Sequence, residues 1–334
     1  MQSVFNGFLV LSGFFVLFAT FIPLVRTSDW RIRIFDFPRL HLISLTIVLL
    51  LCAILFHSGS PAWKYFLLIT LSASLLLHAY RIFPYTKFST VQVPQAESSP
   101  NHSIRLVVAN VLMSNRKSDG LLNILTGAKW DLILLLETDS WWERALRDLS
   151  GEYPHRMRYP LKNTYGMILY SRHPLVASSI KFLADHEVPS FHTLIRLPSG
   201  REIELHCLHP KPPRPTKRQD ATERNIELLR VAREVRDRNR PVIVAGDLND
   251  VAWSHTTRRF QRVSGLLDPR VGRGLFNTYH AEHPLLRWPL DHVFHSRDFQ
   301  LSSIALLPSF GSDHFPFALS LTLEEESGSK ASPC

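Results

Sequence analysis

Polar positions are sparse in three stretches near the N-terminus and then return in short, regular periods. Residues 4–25 contain no charged side chain, residues 40–58 are dominated by Leu and Ile, and residues 62–82 carry only Lys64 and Arg81. A helix needs roughly 20 apolar residues to cross the hydrocarbon core of a bilayer, so each run has the length and composition of a span. Lys64 lies near the start of its run, where a long side chain reaches the interface. A cleaved leader would carry a basic flank and a small-residue cleavage site; the first run has neither. Buried helices of a soluble domain would show a polar stripe. The pattern therefore predicts an all-α transmembrane anchor of three helices over residues 1–85, followed by a Pro-, Ser-, Gln- and Glu-containing linker over 86–102.

Beyond the linker the pattern changes. Apolar runs shorten to the length of strands: 104–111, 131–136, 166–171, 193–197, 202–208, 242–245, 291–295, 304–307 and 317–321. Pro198-Ser199-Gly200 reads as a hairpin turn between two of them. Residues 120–128 and 221–238 have helical spacing, the second through Ile226, Leu229 and Val235. Many strands with few helices between them predict an α/β sandwich over 103–323 rather than a doubly wound sheet. Residues 324–334 are polar and expected to be a disordered tail.

Charge adds two things. The net charge of +9 suits an anionic partner, whether a phosphate ester, nucleic acid or acidic lipid. Its distribution argues topology: Arg26, Arg31, Arg33 and Arg39 fill the loop between the first two runs, only Lys64 flanks the second loop, and Arg81 and Lys87 follow the third run. The positive-inside rule then places the first loop and the large domain in the cytoplasm. Arg224, Arg230, Arg233, Arg236 and Arg238 are interleaved with Glu and Asp, which predicts a solvated helical face rather than a nucleic-acid stripe. The cysteines Cys52, Cys207 and Cys334 form no CxxC spacing, which argues against a structural zinc site and a disulfide framework.

Polar, chemistry-bearing residues follow the apolar strands. Asn110 closes IRLVVAN, Glu137 follows DLILLL, His209 lies in LHCLHPKPP, Asp247 and Asn249 lie in VIVAGDLND, Asp291 opens DHVF, and Asp313 and His314 lie in GSDHFPF. Any one alone reads as a turn residue. Their order resembles the endonuclease/exonuclease/phosphatase superfamily, which includes pancreatic deoxyribonuclease, abasic-site endonucleases, sphingomyelinases and inositol polyphosphate 5-phosphatases. Gly246-Asp247-Leu248-Asn249 with the later Ser312-Asp313-His314 is its most specific part.

The resemblance covers about two-thirds of the chain and implies a four-layered α/β/β/α sandwich. It implies a hydrolase for a phosphomonoester, pyrophosphate or phosphodiester, with small phosphorylated or lipid-linked molecules as substrates. Mg²⁺, with Mn²⁺ as a substitute, would be held by Asn110, Glu137 and Asp313; the absence of Cys ligands suits a hard cation. His209, Asp247, Asn249, Asp291 and His314 would be catalytic. Asp247 would orient or deprotonate the attacking water, and Asn249, His209 and His314 would meet the phosphoryl group. Asp291 would fix the His314 tautomer. HPKPP together with the apolar runs is similar to a bacterial membrane-anchored branch, implying the inner membrane. Two departures stand: Leu136 occupies a position where the family often has Gln, and Tyr165 does not align cleanly with the Tyr of many nucleases. A nuclease and a non-catalytic binding module are the alternative functions. Trp141 and Trp142 read as packing residues, and Asn277 and Thr278 precede Tyr279 in a loop placed to shape specificity.

Overall fold

The computed structural model describes residues 1–213 and 220–324. The polar tail, apart from Glu324, lies outside the described residues. These form two compact units, one led by residues 1–90 and one spanning 91–212 and 223 onward.

The first unit contains α1 (Gln2–Phe21), a short α2 (Trp30–Arg33), α3 (Arg39–Phe56) and α4 (Pro61–Ile82). With their terminal turns, three of these give helices of 23, 18 and 25 residues that are long and apolar enough to cross a membrane. Leu9, Val16, Leu49, Ala53, Leu67 and Leu71 pack together, while Phe8, Leu11, Leu51, Leu55, Ile69 and Leu76 point outward. Apolar side chains thus face both the bundle and its surroundings, as lipid permits and water does not. One end of the bundle holds a buried polar chain: Asp36 pairs with Arg33 at 3.1 Å and with Arg39 at 2.8 Å, and Arg39 approaches His78, which meets Thr20. Asp36 thus offsets one unit of the charge on Arg33 and Arg39, two of the four arginines read as topogenic.

The second unit is the expected four-layered sandwich. Its strands are β1 (Ser103–Asn110), β2 (Leu132–Leu136), β3 (His155–Tyr159), β4 (Met167–Ser171), β5 (Leu175–Lys181), β6 (Ser190–Arg196), β7 (Glu202–Cys207), β8 (Val242–Asp247), β9 (Asp291–His295), β10 (Phe299–Leu306) and β11 (Phe317–Leu323). One sheet has the order β10-β11-β1-β2-β4-β3 and the other β5-β6-β7-β8-β9. Alternation along each strand explains the layers. Leu106, Val108, Leu132, Leu134 and Leu136 face Leu205, Cys207, Ile243, Ala245 and Val293 between the sheets. Val107, Ala109, Ile133 and Leu135 face outward onto α5 (Ser118–Thr126) and α6 (Ser140–Ala145), where Leu121, Leu125, Trp142 and Leu146 cover them. Leu208, Val242, Val244 and Phe294 face α7 (Thr222–Arg236) and α8 (His255–Ser264), meeting Leu228, Val231, Val235 and Phe260.

The Pro198-Ser199-Gly200 turn joins β6 to β7, with Gly200 at φ 83° supplying its left-handed position. Within the expected linker, Gln92–Ala96 lies along the second unit: Leu301 donates to Pro94 O, Ala96 donates to Leu301 O, and Val93 is fully buried.

Candidate active site

Two pairs of parallel strands bring the polar residues together. In β1 and β2, Asn110 is in register with Leu136, so Glu137 emerges beside Asn110. In β7 and β8, Cys207 is in register with Ala245, so His209 and Asp247 emerge side by side. Antiparallel β9 then sets Asp291 directly opposite Asp247. Parallel neighbours end in the same direction, so polar residues following buried runs collect at one rim. Gly246, at φ 145°, permits this closeness: a Cβ there would overlap the carbonyl oxygen of Leu208.

Asp247 is the centre. It is fully buried, and its Oδ2 lies 3.7 Å from Nε2 of both His209 and His314. Its Oδ1 accepts the Asn249 N–H at 2.8 Å. Asn110 links the two halves, its side-chain NH₂ donating to Glu137 Oε1 at 3.0 Å and to Asp247 Oδ2 at 3.2 Å. Asn110 Oδ1 accepts the Leu112 N–H, which fixes the amide in this orientation. Glu137, at φ 61°, also accepts from the Met113 N–H. Asn249 is left-handed at φ 51° and gives one of its amide hydrogens to Pro210 O at 3.0 Å. Ser312 straps the late loop to β1, donating to Asn110 O at 2.7 Å and accepting from the His314 N–H. Asp313 is close enough to Glu137 to act on its charge.

The electrostatics follow from crowding. Burial drives the Asp247 carboxyl up to about 6, opposed by His314 and His209 and assisted by Asp291. Burial alone would pull the His314 imidazole down, but Asp291, Asp247 and Asp313 together hold it up at about 10. Burial also raises Glu137, against the hydrogen bonds from Asn110 and Met113, and Asp313 raises it further. Four carboxylates thus converge with one strongly basic imidazole.

Oxygen and imidazole donors with no thiolate, and excess negative charge in a buried hollow, fit a hard divalent cation. Donor atoms of Asp247, Asp291 and His314 lie within 4.8 Å of one another and could hold a metal. In that trio His314 already commits Nδ1 to Asp291 Oδ2 at 2.7 Å. Among the described residues, the second carboxylate group, Glu137 with Asp313, makes its hydrogen bonds to Asn110, Met113 and Ser312 rather than to an imidazole.

All eight residues singled out in the sequence therefore lie in one neighbourhood. The structure adds Tyr165, whose ring lies 5.5 Å from that of His209 and has Lys211 Nζ over its face at 5.9 Å, and Tyr279, 5.1 Å from His314. Thr278 orders the entrance of β9 by accepting the N–H groups of Leu290 and Asp291. Trp142 is buried against Trp141, which stacks under Arg116. One expectation is corrected. Arg224 does not belong to a solvated face: it is 1% exposed, and it pairs with Asp250 and donates to Asn249 O. Helical spacing puts it one turn before buried Leu228 on the same face, but its buried partner, Asp250, lies 26 residues away and is visible only in the fold.

Fold and site together define a two-sheet α/β sandwich with an acid–histidine cluster at the ends of its parallel strands. The chain belongs to the Endonuclease/Exonuclease/phosphatase family, whose model matches residues 107–314. Members of this family are typically divalent-metal-dependent hydrolases acting on phosphate esters. Solved structures agree in fold. An endonuclease/exonuclease/phosphatase from Beutenbergia cavernae is 17% identical, with 66% of this chain and 72% of that one covered, at a TM-score of 0.53. D. rerio TDP2 complexed with single-strand DNA product is 16% identical over 66% and 99%, at 0.56. The catalytic domain of human Nocturnin with bound sulfate is 18% identical over 70% and 98%, at 0.54. At these identities the likeness concerns fold alone. No curated protein matches the sequence.

Proposed function

We propose that this chain is a membrane-anchored, Mg²⁺-dependent phosphoesterase acting on a phosphorylated small molecule or a lipid-linked phosphate ester. The carrying observation is Asp247, buried between His209 and His314 at 3.7 Å from each and joined through Asn110 to Glu137. Such a carboxylate has one oxygen fixed by Asn249 and the other turned toward two imidazoles, the arrangement that orients a water and a phosphoryl oxygen beside each other. Glu137 and Asp313 would hold the cation; Asn110, expected as a ligand, turns its NH₂ to Glu137 and Asp247 and its Oδ1 to the Leu112 N–H, so it would position those carboxylates rather than ligate. When bound, the cation supplies neutralisation of phosphoryl charge.

The chain's own groups do the rest. Asp247 orients the attacking water and receives its proton. His314, kept cationic by Asp291, and His209 bind phosphoryl oxygens and stabilise charge that grows in the transition state. Asn249 retains a second amide hydrogen for the same group. The three apolar helices keep this chemistry at a bilayer, which favours substrates residing there, and Arg26 and Arg31 support a cytoplasmic face on what would be a bacterial inner membrane.

The test is turnover by the purified full chain in detergent with Mg²⁺, across lipid pyrophosphates, p-nitrophenyl phosphate esters, nucleotides and DNA. Hydrolysis of a small or lipid-linked ester is expected, with a loss of about 10²-fold or more in Asp247→Ala and in His314→Ala. Cleavage of DNA alone, weakening steeply with salt, would instead make it a nuclease. Near-native turnover in both variants would remove the assignment, and inertness of the wild type toward all of these substrates would leave a binding module.

A further inference from the structure

Behind the rim lies a second polar assembly, buried on the outer face of β8 and β9. Asp268 and Arg270 form a two-pronged pair, Nε to Oδ1 at 2.9 Å and NH2 to Oδ2 at 2.8 Å, both fully buried. Arg270 also donates to His292 Nδ1 at 2.6 Å, so His292 carries its proton on Nε2 and donates it to Asp250 O at 2.8 Å. Asp250 in turn pairs with Arg224 at 3.3 Å. Each terminal arginine grips a backbone carbonyl: Arg224 donates to Asn249 O at 2.6 Å and Arg270 to Asp291 O at 3.3 Å.

Stability is a poor reason for such an assembly. Desolvating two ion pairs costs about as much as their attraction returns, and apolar residues of the same volume often do as well. Geometry gives a better one. Successive side chains of β9 point to opposite faces, so His292 looks away from the site that Asp291 enters. The grip on Asn249 O fixes the peptide that follows a left-handed residue, and the N–H of that same residue is the one that holds Asp247.

We propose that the Asp268–Arg270–His292–Asp250–Arg224 assembly is the positioning scaffold of the reaction, with Arg224 holding the Asp247–Asn249 turn and Arg270 holding Asp291. None of the five touches Asp247 directly; they act through the backbone that bears it. The proposal rests on the reading of Asp247 and Asn249 as catalytic, but its structural half is measurable without turnover.

The test is Arg224→Ala in the full chain in detergent, with exposed Arg233→Ala from the same helix as control. Two readouts are taken. Amide exchange in the segment 247–251 should rise about tenfold while β1 and β2 remain protected. The kcat should fall about 10- to 100-fold with KM nearly unchanged. Arg224→Lys should recover part of the loss, and added guanidinium ion should rescue Arg224→Ala and leave the wild type unaffected. If Arg224→Ala does not fold, Asp250→Asn takes its place, and the same exchange and kcat changes are expected. Unchanged exchange in 247–251, or wild-type kcat in a folded variant, overturns the scaffold. A wild type inert toward every phosphate ester defeats the proposed function, while the exchange result still decides the positioning role.

Discussion

Asp291 holds the ring of His314: Oδ2 lies 2.7 Å from Nδ1, and Nε2 of the same ring faces Asp247 at 3.7 Å. Register produces this. Asp291 and Asp247 are direct partners across β9 and β8, and Ser312 brings His314 above them by tying its loop to the end of β1. A carboxylate on one ring nitrogen fixes which nitrogen carries the proton on the other side.

Asp291→Asn should therefore damage chemistry more than binding. The amide preserves shape but cannot serve as an anionic acceptor for Nδ1–H. We expect kcat to fall about 10²-fold or more with KM within a few-fold. Steady-state kinetics on the best substrate from the panel checks this; an equal rise in KM with kcat intact would show that His314 only binds.

Cation dependence can be read apart from turnover. Chelation should abolish hydrolysis and Mg²⁺ should restore it. A cation that binds only the folded chain adds about 2.7 kcal/mol at 100 times its Kd, so thermal unfolding of the wild type should move upward with Mg²⁺. Glu137→Gln should lose that shift, because burial already disfavours charge at this position and the amide removes the anion altogether. An undiminished shift in Glu137→Gln would put the cation elsewhere, with Asp247, Asp291 and His314 as the next group to change.

Much of this site was legible because buried strands end abruptly. LILLL and VIVA have no polar residue, so Glu137 and Asp247 stand out as the first carboxylates after them, and the order of motifs completed the set. What escaped has a physical cause in each case. Strand β5, LVASSIK, lies at a sheet edge with half its positions exposed, so it lacks a buried period. Helix α8, HTTRRFQRVS, is fastened through Phe260, and its other buried positions are Thr256, Thr257 and Ser264, so no apolar run marks it; its cap, Ser254, accepting from the Thr257 N–H, was the readable sign. Arg224 looks solvated in sequence because its partner, Asp250, lies 26 residues away on another element, and the links from Arg270 to His292 and from His292 to Asp250 span 22 and 42 residues. Charge compensation at that separation is a property of the fold alone.

Gly246 is the backbone condition for the rim. It sits one residue before Asp247, and any Cβ would collide with the carbonyl of Leu208, which itself precedes His209. Gly246→Ala should cost about 3 kcal/mol or more, the range reserved for forced backbone conformations and overpacking. Chemical denaturation checks it, and a variant with wild-type midpoint and slope would mean that β7 and β8 can separate at no cost.

Glu227 supplies a pH test at a residue outside the rim cluster. It lies on α7, fully buried, and among the described residues its Oε1 has no hydrogen-bond partner. Burial, with a smaller push from Asp185, raises its carboxyl to about 8 from an ordinary 4.5. The sign follows from proton counting. Below pH 4.5 folded and unfolded chains both hold the proton, and the group costs nothing. Between 4.5 and 8 the unfolded chain releases it while the folded chain keeps it, so stability falls as pH rises, and above 8 the full cost persists. Glu227→Gln removes the titration and keeps the shape. Its Tm should match the wild type near pH 5 and exceed it by several degrees at pH 8, since each kcal/mol moves Tm about 2–4 °C in a domain of this size. A constant difference between the two pH values would show that Glu227 is ionised and paired in the folded chain.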